Sequence, residues 1–224
     1  MLQLVKFGDV IESITIRVDD PQTAGVDRYV GLEHLDSETV TVGRWGSPSD
    51  VEATKLRFFI GDVIYGRRRA YQRKLGRANF EGICSAHALV LRGKAKKCLS
   101  EFLPYFLQSE RFHKRAMEIS VGSLSPTINW STLKVQEFAF PGLDEQARIV
   151  ELMTAVDEHL DALRSQLEVA KGSRAAVLHH LLSAGSDDWV NTTLGELVSL
   201  RTGKLDVEER SNAVTLWNEQ YGNR

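Results

Sequence analysis

Nine apolar or small residues recur at steps of three and four through the stretch Asp144–Ser183: Ile149, Leu152, Val156, Leu160, Leu163, Leu167, Ala170, Val177 and Leu181. Arg174 fills the one gap. A stripe of this period winds down one side of an α-helix, and sustained for more than four heptads it is a coiled-coil seam. Asp144 is placed to cap the helix, and Glu145 sets negative charge at the positive end of its dipole. Ser183, Ala184 and Gly185 supply the stop. About forty residues rising about 1.5 Å each make a rod of about 60 Å, longer than a small domain needs. Such a helix requires a second apolar surface, from this chain or from another.

Before the rod, residues 1 to about 98 read as strands and turns. VIESITIRV (10–18) and ETVTV (38–42) are β-branched and partly alternating, and Asp19, Asp20 and Pro21 break between them. KLRFFIGDVIYG (55–66) predicts a strand pair or a bent strand around Gly61-Asp62, and GICSAHALVLRG (82–93) ends in a strong alternating strand over 86–91. From Cys98 to about Ile119 the spacing of Phe102, Leu103, Phe106, Leu107, Phe112 and Met117 becomes helical, with Pro104 near the start. Residues 121–133 form a loop that packs Ile128 and Trp130, and VQEFAFPGL (135–143) is a last strand running through Pro141 into the long helix. The fold class is therefore α+β: a strand-rich mixed domain followed by a long coiled-coil helix. Beyond Gly185, Thr193–Val198 (TLGELV) echoes Lys6–Ile11 (KFGDVI), which hints at the opening of a second copy of one module.

Net charge over the 224 residues is only −2, yet it is unevenly distributed. Between Gly66 and Lys97 lie Arg67, Arg68, Arg69, Arg73, Lys74, Arg77, Arg92, Lys94, Lys96 and Lys97 against a single acid, Glu81. A basic segment on an otherwise acidic chain is the footprint of a polyanion site, weighed against a merely solvated basic face. Tyr71 and Phe80 interleave planar rings, and arginine carries the fork that reads guanine in a major groove. Arg67, Arg68, Arg69, Tyr71, Arg73, Lys74 and Arg77 are the candidate DNA-binding residues.

Motifs for other chemistries are missing. No GxxxxGK[ST], HExxH or CxxC occurs, so neither a nucleotide loop nor a zinc site is indicated. Adjacent His179 and His180 point about 100° apart on a helix, which suits a metal poorly. Alternation sets Cys84 on the strand face opposite Ser85 and His87, so Cys84 reads as core rather than nucleophile. Two cysteines without a framework spacing suit a reducing cytoplasm, and neither a signal peptide nor an apolar membrane span is present.

The order of these pieces resembles the specificity subunit of type I restriction–modification enzymes. GDVIYGRRRAYQRKL (61–75) and EGICSAHALVLRG (81–93) are followed by a helix, INW (128–130) and FPGLDEQARIVELMTAVDEHLDAL (140–163). Pro141, Glu145, Gln146 and Ile149 fit the family's Pro-x-x-x-Glu-Gln-x-x-Ile entry into its long helix. The resemblance implies a DNA target-recognition domain over 1–143, a conserved spacer helix over 144–184, and in 185–224 the start of a second recognition domain. It implies no catalysis and no cofactor on this chain, with S-adenosylmethionine and ATP bound by partner subunits. Expected partners are double-stranded DNA, DNA methyltransferase subunits and a restriction subunit.

Family members carry two recognition domains and two antiparallel helices, whereas this sequence has one of each and a short tail. A homodimer through Ile149, Leu152, Val156, Leu160, Leu163, Leu167, Val177 and Leu181 would restore the arrangement and read a bipartite, inverted site. Two other readings compete: a coiled-coil scaffold whose basic loop is only surface, and a truncated regulator that occupies methyltransferase partners without productive recognition.

Overall fold

A computed structural model describes residues 3–37 and 39–183. Along the chain come β1 (Gln3–Lys6), α1 (Phe7–Val10), β2 (Ile11–Ile14), β3 (Arg17–Val18) and β4 (Tyr29–Val30). Next are β5 (Lys55–Phe58), β6 (Val63–Gly66), β7 (Leu75–Arg77), β8 (Gly82–Ser85) and β9 (Ala88–Gly93). Helices α2 (Phe102–Gln108), α3 (Glu110–Glu118) and α4 (Trp130–Leu133) follow, then β10 (Glu137–Phe140) and α5 (Leu143–Ser183).

The strands form three sheets. A central antiparallel sheet has the order β2-β9-β6-β7, and a second sheet has the order β3-β5-β8-β4 with only β4 and β8 parallel. β1 and β10 make a separate antiparallel pair. At β6 and β9 the central sheet is buried on both faces. On one side Val63, Tyr65, Leu89 and Leu91 pack with Phe7, Phe102, Phe106, Phe112, Phe138 and Phe140. On the other side Ile64, Ala88 and Val90 pack with Phe58, Phe80 and Cys84 of the second sheet. That is why VIY and ALVL read as unbroken apolar runs, since each residue serves one core or the other. The helical side is dominated by Phe7, whose ring lies 5.7 Å from Phe112, 5.7 Å from Phe138 and 6.0 Å from Trp130.

Several sequence expectations change in detail. The 10–18 strand is two strands in different sheets, with Thr15 and Ile16 between them. Residues 39–42 form no strand, although the Arg77 N–H donates to Val40 O and the Val42 N–H to Arg77 O; Glu38 lies outside the described residues. The 55–66 stretch is a pair of strands around Gly61, whose φ of 89° suits glycine at that turn. The 82–93 stretch turns at Ala86 and His87, so β8 and β9 belong to different sheets and the single-strand alternation used for Cys84 does not apply. Cys84 is nonetheless fully buried, and burial raises its thiol pKa. The helix expected over 98–119 breaks at Ser109, whose hydroxyl caps α3 by accepting from the Phe112 N–H at 3.3 Å.

α5 begins at Leu143, so Asp144 lies in its first turn rather than at the cap. Gln146 pins the helix to the domain. Its buried side chain accepts from the Leu99 N–H at 2.8 Å and donates to Lys97 O and Pro141 O, both at 2.9 Å. Ile149 and Val150 pack on the phenylalanine core, and Tyr105 donates to Asp157 at 2.8 Å. These residues define one face of the helix. Leu152, Val156, Leu160 and Leu163 are exposed. Ile149, on the same stripe, is half-buried against the phenylalanine core at the near end of the helix. Leu167, Val177 and Leu181 are also exposed.

Gln146→Ala removes one acceptor and one two-bond donor from a buried site and orphans three backbone groups. We expect a loss of about 2–4 kcal/mol in unfolding free energy, read by urea denaturation of the full chain. A loss below about 0.5 kcal/mol, the level of ordinary surface substitutions, would show that the pin contributes little.

Candidate nucleic-acid interface

The basic segment is the hairpin between β6 and β7. The Gly66 N–H donates to Lys74 O at 2.9 Å and closes the loop 67–74. Within it a short 3-10 turn, Ala70–Gln72, is bracketed by Arg69 (φ 53°) and Arg73 (φ 51°), both left-handed. A non-glycine residue in that region costs about 1–2 kcal/mol, so the loop is held in shape by its surroundings. Ala70 is buried and its N–H donates to Pro126 O at 3.4 Å, while the Ile128 N–H donates to Arg67 O at 3.0 Å. The Ser/Gly/Pro segment after α3 thus straps the hairpin from behind.

The structure divides the ten basic residues into two groups. Arg73 pairs with Glu110 at 2.6 Å, Arg77 with Glu101 at 2.6 Å, and Arg92 grips buried Asp62 through two nitrogens at 2.7 and 3.0 Å. The hydrogen bond to Asp62 raises the Arg92 pKa, so that guanidinium stays charged. Lys74 donates to Leu32 O, Lys94 to Gly8 O and Lys97 to Asp9 O. Six of the ten are therefore spent on the fold. Arg67, Arg68 and Arg69 form no ion pair or side-chain hydrogen bond with described residues, and the Arg67 Nε is buried without a partner. Arg68 and Arg69 are exposed, as is Tyr71 at 50%.

Phe80 is not available as a stacking surface. It is buried against Trp45, with the Arg28 guanidinium 4.3 Å from the Trp45 ring and 4.4 Å from the Phe80 ring. Of the seven candidate residues, the fold leaves Arg67, Arg68, Arg69 and Tyr71 free and engages Arg73, Lys74 and Arg77 elsewhere.

Sequence reading missed what stands around the free arginines. A cleft of about 360 Å³ lies between the hairpin loop, the turn at Glu33 and the β8–β9 turn, where it meets Arg68, Arg69, Gln72 and His87. Burial, and then the positive charges of Arg68 and Arg67, hold the His87 imidazole below the usual histidine range. Only long-range pairing brings these segments together, so no local motif announced them. Among the described residues no three His, Cys, Asp or Glu side chains gather to hold a metal, and no helix is long and apolar enough to cross a membrane.

Residues 28–170 match the family model described as the type I restriction modification DNA specificity domain. The chain is 24% identical over 164 residues to the EcoDI type I restriction enzyme specificity subunit of Escherichia coli, covering 72% of this chain and 35% of that protein. It is 27% identical over 90 residues to the MjaVIII specificity subunit of Methanocaldococcus jannaschii, covering 40% and 21%. The fold is similar to the HsdS subunit of Thermoanaerobacter tengcongensis, with a TM-score of 0.61, 20% identity, and 87% of this chain matched to 52% of that one. A chain from a structural study of assembly and conformational transition in the type I R-M system gives a TM-score of 0.63, also at 20% identity and the same coverage. The chain thus spans about a third of the first curated relative and about half of the structural ones.

The depressed His87 pKa makes a signed prediction. The imidazole is neutral at neutral pH, and a polyanion laid beside it favours the proton. Binding of duplex DNA should therefore strengthen as pH falls from about 7.5 to about 6. Burial, Arg68 and Arg67 oppose that protonation in the free protein. His87→Gln should flatten the pH dependence measured by fluorescence anisotropy; an unchanged slope would place His87 outside the interface.

Proposed function

Because the chain belongs to the DNA specificity family of type I restriction–modification enzymes, we propose that it is the non-catalytic subunit that finds the target sequence for methyltransferase and restriction partners. The observation that carries this reading is the set of three adjacent arginines, Arg67, Arg68 and Arg69, left without internal partners on a shaped loop. Guanidinium groups held at the surface without carboxylates are available to phosphates and base edges. Tyr71 adds an exposed ring beside them. Arg73, Lys74 and Arg77 act by holding the loop, through Glu110, Leu32 O and Glu101. In this reading residues 1–143 form the target-recognition domain, 144–184 the spacer helix, and 185–224, outside the described residues, the start of a second recognition domain. S-adenosylmethionine and ATP are bound by the partner subunits.

The exposed seam on α5 supports self-association. Leu152, Val156, Leu160, Leu163, Leu167, Val177 and Leu181 are between 42% and 65% exposed, an apolar stripe in need of a facing helix. Two copies paired through it bring two recognition domains into one assembly and, by two-fold symmetry, a bipartite site of inverted halves.

Two measurements test the reading. Arg68→Ala and Arg69→Ala should each weaken DNA binding by about 1–3 kcal/mol, whereas Arg73→Ala should act chiefly on thermal stability. If duplex DNA binds the variants as it binds the parent, the loop is not the interface. Replacing Leu160 and Leu163 together with Asp should convert a dimer to a monomer in analytical ultracentrifugation while circular dichroism keeps its strand signal. A parent chain that sediments as a monomer at tens of micromolar removes the dimer from the account.

A further inference from the structure

The cleft beside the free arginines contains more than positive charge. Gln72 lies on the hairpin's 3-10 turn, and Glu33 faces it from the turn after β4. Neither side chain makes a hydrogen bond with a described residue. The nearest cation to Glu33 is nominally His34, whose Nδ1 lies 4.0 Å from Oε1. That nitrogen already accepts the Gly31 N–H at 3.0 Å, so it carries no proton to offer the carboxylate. The cleft therefore gathers unused donors from Arg68 and Arg69, a donor-plus-acceptor amide from Gln72, and an unused acceptor from Glu33.

A site for phosphate alone needs donors and gains nothing from a carboxylate. Base edges in a major groove are mixed. Guanine presents acceptors, adenine a donor beside an acceptor, and cytosine an amino donor, matched by Arg, Gln and Glu respectively. The mixed set is also held in place: Arg69 and Arg73 fix the backbone on either side of Gln72, and Arg73 is tied to Glu110 on α3. Resting on the DNA-recognition reading above, we propose that this cleft receives base edges of duplex DNA and that Gln72 and Glu33 are its specificity-determining side chains. Arg67 remains with the phosphates, and Arg68 and Arg69 border both surfaces.

The test is selection from a randomised duplex pool by the full chain and by its Gln72→Ala and Glu33→Gln variants, with Arg67→Ala alongside. The parent is expected to enrich a defined motif. Each cleft variant should lose about tenfold discrimination at one or two neighbouring base pairs, keep the rest of the motif, and retain its affinity for unselected duplex. Arg67→Ala should instead weaken all sequences alike. Glu33→Gln preserves shape at an exposed position, which separates readout from folding. If both cleft variants return the parental motif at every position, or lose affinity uniformly, the assignment of Gln72 and Glu33 is overturned while DNA recognition stands. If the parent itself enriches nothing, the recognition reading fails and takes this inference with it.

Discussion

Everything in the domain is hung from two central strands with no solvent face. β6 and β9 give alternate side chains to two separate cores, so neither strand can shift register without moving apolar groups from one core into the other. This constraint fixes the hairpin at the end of β6, and so the position of its arginines. It also fixes the phenylalanine layer on the opposite side, against which the first turns of α5 are seated. Gln146 completes the seating by using both ends of its amide on backbone groups of residues 97, 99 and 141.

The charge arrangement follows from that frame. A run of basic residues in sequence is ten equivalent charges, but in the fold the acids come from elsewhere. Asp62 lies in the turn before β6, Glu101 just before α2, and Glu110 in the first turn of α3. Burial of Asp62 makes the Arg92 pair obligatory, whereas the Arg73 and Arg77 pairs are at the surface and contribute modestly to stability. Apart from exposed Lys96, what remains unpaired of the ten is a compact group at one loop.

Much of this was legible in the residues. The long helix and the strand pair around Gly61 are local patterns that tertiary structure left in place; the stop expected over 183–185 lies largely outside the described residues. Other features depend on distant partners. β1 is a strand because Gln3–Lys6 lies against Glu137–Phe140, and nothing near the N-terminus announces that neighbour. Periodicity placed Ile149 on the apolar stripe of the helix, but not against the phenylalanine core that half-buries it. The meeting of Glu33, Gln72 and His87 at one cleft was not legible for the same reason, since each lies in a different segment. The Pro141, Gln146 and Ile149 pattern, met first as a resemblance, has a physical cause in the pin and the docked face.

The central claim is that the three arginines left free by the fold grip DNA phosphates. It is tested most directly by the salt dependence of duplex binding, comparing the full chain with a variant in which Arg67, Arg68 and Arg69 are all alanine. The account predicts that the slope of log affinity against log salt becomes shallower by about 2–3 in the variant, close to one unit per lost phosphate contact. An unchanged slope, with the variant folded, would contradict it.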